Sequence, residues 1–541
     1  MLLMAGQSFD AFSQDDWSEP GEIENAEVII EKDRQVKLPG AVRPFSKIPP
    51  ADIHQNIIPQ TYDFNEYLFT GSIYDPNLQF KVIAPDEKQN NLKNYVKGGL
   101  GNYASALTEA SLNTSNKNFA AGLLFKHRSF ANGPVDGSNS AASDTDALLF
   151  TRLAQKKSVL SADLGFSSVK RHHYGYDETP AIPDAVSSQV YNTIDFSIGL
   201  KNTDEQSAFD YDSKIALYRL GNKFNASERG FKIDLKSKVA IDENIAIRLN
   251  STTLLSKYED ISSQSRNLVK FISGIEYSIG GLSILGAANV VLSNDSISNA
   301  NKLRIYPYIV VNYKLSNSWN FNGGLRGDLE AVTLQSISKE NEYLNNNLPI
   351  FHSNKEIQIF AQIAGNFSSN VGITAGFSFA QYENLYFYAN AFNDSTKFDL
   401  LYDFDGTNVL NLFASLIMSP VEDLVIISRI NYFNYSTKTL SSPLHRPDYS
   451  GSIAINYHLT SKFLVGFDGS FSGGIEGLNL QSANSRKLSA IADLSLNLEY
   501  ALNQNIGTFL QINNLLSQDY ERYLNYKNRA LMVLAGVRYS F

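Results

Sequence analysis

The feature that most limits what this chain can fold into is a period of two that recurs from about Asn94 to the last residue. In FKIDLKSKVAI, Phe231, Ile233, Leu235, Val239 and Ile241 share one face of an extended backbone, and Lys232, Asp234, Lys236 and Lys238 share the other. In LRIYPYIVVNYKL, Leu303, Ile305, Pro307, Ile309, Val311 and Tyr313 stand against Arg304, Tyr306, Asn312 and Lys314. In LSAIADLSLNLEY, Leu488, Ala490, Ala492, Leu494, Leu496, Leu498 and Tyr500 stand against Ser489, Asp493, Ser495, Asn497 and Glu499. Alternation of this length marks strands with one apolar and one wet face. The pattern predicts 22 strands, the first over 94–101 and the last over 531–541.

A second order lies in the connections. After even-numbered strands they are tight: DEN at 242–244, Gly280-Gly281, SNS at 316–318, SSN at 368–370, TSK at 460–462 and LNQN at 502–505. After odd-numbered strands several are long: 131–144, 176–190, 335–355, 477–487 and 518–530. A soluble sandwich has no reason to sort its turns by parity, and a propeller or β-helix needs a repeat that is missing here. A transmembrane barrel has short periplasmic turns, long outer loops, an even number of strands and both termini in the periplasm. The expected fold is therefore an all-β, antiparallel transmembrane barrel spanning 93–541 in the outer membrane of a Gram-negative bacterium, both termini periplasmic. Mean hydropathy of −0.21 does not oppose this, because a membrane strand needs only about ten residues with one oily face. No stretch approaches the ~18 apolar residues of a membrane helix.

The N-terminal part differs. Leu2–Ala5 resemble the tail of an export signal, and Ala11-Phe12-Ser13 a small-x-small cleavage site, so 1–13 reads as a signal remnant. Residues 14–92 are charged, extended and punctuated by prolines, which remove backbone donors and fix φ. Within them Glu27, Ile29, Lys32, Arg34, Pro39, Arg43, Pro44 and Pro49 are expected to form an ordered strap that enters the lumen or binds a partner.

The end of the chain carries a resemblance. In QINNLLSQDYERYL, followed by VLAGVRYSF, the residues Asn514, Leu515, Leu516, Tyr520 and Glu521, then Gly536, Arg538 and Phe541, resemble the C-terminal end of TonB-dependent receptors. NYVKGGLGNYASALTEASLN at 94–113 resembles the first hairpin of Bacteroidetes members of that family. The resemblance implies a 22-stranded barrel and a C-terminal signal, here Val537, Tyr539 and Phe541, read by the barrel-assembly machinery. It also implies a plug of about 150 residues, the size of an ordinary domain. Residues 14–92 are too few and too Pro-rich for one, so the chain reads as lacking the plug, and no clear energy-coupling segment is present.

Chemistry-bearing residues are sparse. Cysteine is absent, which removes disulfides and thiolate metal sites. Adjacent strand residues such as His172 and His173 point to opposite faces and suit a rim better than one metal. Asp403 and Asp405 before Gly406 are a fragment of a calcium loop without its remaining ligands, and read as a solvated loop. The lysines 232, 236 and 238 read as an inner wall balanced by neighbouring acids rather than an anion site. The 7 His form no nucleophile motif, and the net charge of −9 has no basic footprint for nucleic acid. No enzyme activity, metal or cofactor is expected. Two readings remain: a docking subunit of an outer-membrane protein complex, or a receptor-type transporter for a small substrate, closed by its N-terminal segment and loops. The expected partners are outer-membrane lipid, the assembly machinery, and other outer-membrane or periplasmic proteins.

Overall fold

The computed structural model describes residues 94–176, 187–204, 206–295 and 302–541. The signal remnant and the proline strap, with all eight of its singled-out residues, lie outside them.

Among the described residues 22 strands form one antiparallel sheet that closes on itself. Each strand pairs with its sequence neighbours, and the first, Tyr95–Gly101, pairs with the last, Met532–Ser540, from Tyr95↔Ser540 to Gly101↔Leu534. Closure satisfies every strand edge from within, as a hydrocarbon surround requires. All 22 expected strands are present, with ends moved by a few residues. Gly280 and Gly281, at φ 54° and 87°, make the two-residue turn between Ser263–Ile279 and Leu282–Ser293. Positive φ at both positions matches the right-handed twist of a hairpin and suits glycine.

The side chains sort as the alternation requires. Leu303, Ile305, Ile309 and Tyr313 are exposed on the outer surface, Ile305 at 67 %. Glu276, Asn289, Asp493 and Gln511 are buried on the inner face. The inner charges are largely matched: Lys232 lies 2.8 Å from Asp234, Lys238 3.3 Å from Glu276, Arg248 2.5 Å from Glu276 and Lys270 2.8 Å from Asp328. That supports the balanced-wall reading of the lysine row.

Regular structure in the long loops was not expected. A seven-residue helix, Leu334–Glu340, lies between the thirteenth and fourteenth barrel strands. Its Thr333 hydroxyl accepts from Ser336 N–H and the Ser336 hydroxyl from Thr333 N–H, a reciprocal cap that holds the first turn. A four-stranded sheet joins the hairpin Leu385–Asn390/Phe398–Asp403 to the hairpin Glu476–Asn479/Asn484–Lys487. A third hairpin, Glu521–Tyr523/Tyr526–Lys527, lies in the last loop.

Candidate functional site

The long loops converge instead of hanging separately from the rim. Tyr174 follows the fifth strand, Tyr343 the thirteenth and Tyr526 the twenty-first. Around the ring of 22 these loops are spaced by eight, eight and six strands. Yet Tyr343 stacks on Tyr526 at 3.7 Å, and Tyr174 meets Tyr526 edge-on at 4.9 Å and Tyr343 at 6.1 Å. Side chains rooted so far apart on the rim touch only if their loops cross the mouth of the barrel at that end. The Tyr174 hydroxyl donates to Lys527 O at 3.0 Å, and the Tyr526 hydroxyl to Thr396 O in a fourth loop.

Around this junction the loops form an apolar core. Ile337, Leu344, Ile350, Tyr388, Phe398 and Tyr523 are buried there to 1 % exposure or below, apart from Tyr523 at 4 %. Burial pushes the phenols of Tyr174, Tyr343, Tyr388 and Tyr526 up, so they stay neutral.

Three polar devices hold the loops in register. Arg171, at the top of the fifth strand, forks onto Glu342 (2.7 and 2.9 Å) and also reaches Asp144 (2.7 Å). Arg446 pairs with Glu340 at 2.7 Å, and Glu340 also accepts from the Tyr386 hydroxyl. Glu228, fully buried on the wall, accepts from Leu334 N–H and Gln335 N–H at 3.1 and 3.0 Å, tying the helix start to the rim. His445 ties together three loop segments as a neutral group. Its Nδ1 donates to Tyr388 O at 2.9 Å, its Nε2 accepts from Leu524 N–H at 3.2 Å, and its ring lies against Tyr523 and Phe398. Burial lowers its pKa to about 4.

Of the residues singled out in the sequence, Asn514 and Tyr520 fall by this cap, whereas Val537, Tyr539 and Phe541 lie at the other end of the last strand, beside the short turn 502–505. Asn514, at φ 48°, accepts from Gln518 N–H and donates to Gln518 O and Arg529 O. The Tyr520 hydroxyl donates to Asp493 at 2.7 Å. Both therefore shape the loop that delivers Tyr523 and Tyr526, while Leu515 and Leu516 are exposed. Val537, Tyr539 and Phe541 are more than half exposed on the outer face, and Tyr539 stacks on Phe541 at 5.7 Å. His172 and His173 are not brought together: His172 bonds Ala141 O, and buried His173 bonds the Ser187 hydroxyl. Burial lowers the pKa of His173 to about 4. Asp403 differs from its reading as part of a solvated loop. It is fully buried, and its carboxylate accepts from the Thr407 hydroxyl and from the N–H groups of Lys438, Thr439 and Leu440. It pins one loop to the next, with its oxygens turned to protein donors; Asp405 bonds the Thr439 hydroxyl. No group of three or more metal-ligating side chains occurs among the described residues.

The tyrosine junction and the Glu340–Arg446 pair were not singled out in the sequence. Their only signal was loop length together with aromatics in loops, as in DYERYLNYKNR.

No family model matches the chain, and no curated protein matches it in sequence. Solved structures do match in three dimensions. The FrpB iron transporter from Neisseria meningitidis superposes with a TM-score of 0.61 at 7 % identity, covering 83 % of this chain and 82 % of that one. The copper transporter OprC gives 0.61 at 8 %, covering 83 % and 80 %. The pyoverdine outer-membrane receptor FpvA from Pseudomonas aeruginosa gives 0.61 at 9 %, covering 83 % and 78 %. The chain has the barrel fold of TonB-dependent outer-membrane receptors. In this receptor-like barrel the outward belt meets lipid, and the capped end carries the long loops. At such identities the likeness concerns fold, so what the barrel does must come from its own residues.

Proposed function

We propose that this chain is a non-enzymatic outer-membrane transporter for a small substrate, closed at rest on its outer side by its own loops. The observation that carries the reading is the junction of Tyr174, Tyr343 and Tyr526 from three well-separated loops. A barrel of this strand number has a lumen wide enough to need filling. A cap held by aromatic contacts and a few ion pairs can be shifted by a ligand that binds the open arrangement better. The named neighbours carry iron or copper, or bind pyoverdine, so a chelated metal is the substrate class to test first. Phe541 ends the strand that we assign to recognition by the assembly machinery. The docking-subunit reading, with protein partners bound through 14–92, has no observation among the described residues in its favour.

Planar-bilayer conductance tests this. The intact protein should pass little current, and the Tyr343→Ala/Tyr526→Ala variant should open large steps while keeping its heat-modifiable gel mobility. A closed variant, or an intact protein that already conducts as an open pore, would refute closure by the loops. Stoichiometric recovery with a second protein, lost on removal of 14–60, would favour the docking reading instead.

A further inference from the structure

The outward face of the sixth to tenth strands departs from a plain lipid-facing belt near its outer end. Here Arg219 is paired directly with Arg229, and Arg229 directly with Lys257. Opposed like charges on one face repel, so such a row is unfavourable unless an anion is shared. Glu259 supplies one, bonded to Arg229 at 3.1 Å and to Lys257 at 2.5 Å. Arg219 has no hydrogen-bonding or ionic partner among the described residues. Lys223 adds a further cation above it.

One step toward the membrane centre, the row changes completely. Phe196, Leu217, Phe231 and Leu255 are paired in sequence across four strands. Below them come Ile198, Ile215 and Ile233, again directly paired. The cationic and apolar rows share a groove of about 530 Å³, and a second groove of about 530 Å³ adjoins it, lined by Val190, Asn192, Gly221 and Lys223. Nothing stands within 4 Å of where a Gly221 side chain would begin, which leaves the upper groove open.

We propose that this face is a specific lipid site, occupied by a phosphorylated, multiply acylated glycolipid of the outer leaflet. Its phosphate lies on Arg219, Arg229 and Lys257, and its acyl chains follow the Phe196–Leu255 row downward. Charge complementarity selects the occupant: three cations against one carboxylate call for an anion, and the apolar rows directly beneath call for chains attached to it. The position fits too, because this end of the strands carries the long loops. Arginine forks suit phosphate oxygens in particular. Ordinary snorkelling anchors would need neither the direct stacking of cations nor a groove.

Native mass spectrometry of the full-length protein, extracted gently from outer membranes, tests the proposal with bacterial lipopolysaccharide as the probe. The intact protein should retain the lipid. The variant Arg219→Ala/Arg229→Ala/Lys257→Ala should retain at least tenfold less. A control with the same charge loss on the inner face, Lys232→Ala/Lys236→Ala/Lys238→Ala, should behave like the intact protein. Against the intact protein alone, the same lipid stripped of phosphate should bind at least tenfold more weakly, and millimolar inorganic phosphate should not displace the native lipid. Equal retention by the outer-face variant and the intact protein overturns the proposal. So does equal binding of the dephosphorylated lipid, which would make the cations general anchors. Displacement by free phosphate overturns it as well, by removing the need for acyl chains. The dephosphorylated-lipid arm needs no variant, so the proposal stays testable even if the triple substitution impairs assembly.

Discussion

On the barrel wall, Ile275 and Ile305 stand 60 % and 67 % exposed, whereas over the mouth Phe387, Tyr388 and Phe398 are fully buried. The wall is inside out: its apolar side chains face the membrane, and its polar ones face the lumen and pair with one another along the wall. The cap is built like a small soluble domain, with an aromatic core, a capped helix, short sheets and buried ion pairs. Lipid satisfies the wall side chain by side chain, so a strand's outward residues need only be oily. The cap has to satisfy each buried group with a specific partner, because a buried charge or donor left alone is costly. A substitution in the wall should therefore matter by its face and depth, and one in the cap by the partner it abandons.

The sharpest test of this difference is Glu340→Ala. It leaves Arg446, 3 % exposed, without its carboxylate. Removing one member of a buried pair typically costs about 3–5 kcal/mol. Hydrogen exchange should show the loops 334–350 and 385–403 losing protection, while the wall strands keep theirs. Loss spread evenly over cap and wall would mean that the two regions are not separately stable.

Acid should open the cap next. In an opened cap the His445 imidazole takes its ordinary pKa near 6.5, whereas in the closed cap burial holds it at about 4. The closed state thus binds fewer protons between these values, and its stability falls as pH drops from 6.5 to 4, by roughly 3 kcal/mol. Above 6.5 the full stability is present, and below 4 this group changes nothing further. Conductance or exchange followed against pH should show the transition, and His445→Gln should flatten it. An unchanged profile in that variant would remove His445 from the mechanism.

For the wall, Leu235→Arg places a charge in the middle of the outward belt, at about 2–4 kcal/mol. The adjacent Lys236→Arg, on the inner face, should be near neutral. The fraction of heat-modifiable barrel recovered from outer membranes distinguishes them, and similar recoveries would contradict the assignment of faces. The smallest effect belongs to Thr333→Ala, which removes half of the reciprocal helix cap for about 1 kcal/mol. Faster exchange confined to Leu334–Glu340 is the expected outcome.

The wall was legible because its information is local. A period of two sorts Phe231, Ile233 and Leu235 from Lys232, Asp234 and Lys236 without reference to any other strand. Tight turns such as Gly280-Gly281 then fix which strand pairs with which. The candidate site was much less legible. Thr333 and Ser336 carry a capping signal, but it is embedded in a stretch whose alternation extends the preceding strand on paper to 334. Asp403 resembled a piece of a metal loop because Asp405 and Gly406 follow it closely. Its actual partners, at 438–440, lie on a different loop.

The sequence by itself determined the barrel: the number of strands, the face each residue takes, and the end that carries the long loops. Those follow from alternation and turn length, which are properties of consecutive residues. Tertiary structure alone decided that Tyr174, Tyr343 and Tyr526 meet, that Arg446 finds Glu340, and that Arg219, Arg229 and Lys257 stand in one row. Each of these sets joins residues from separate strands or loops, and their proximity exists only once the sheet has closed and fixed the register between strands.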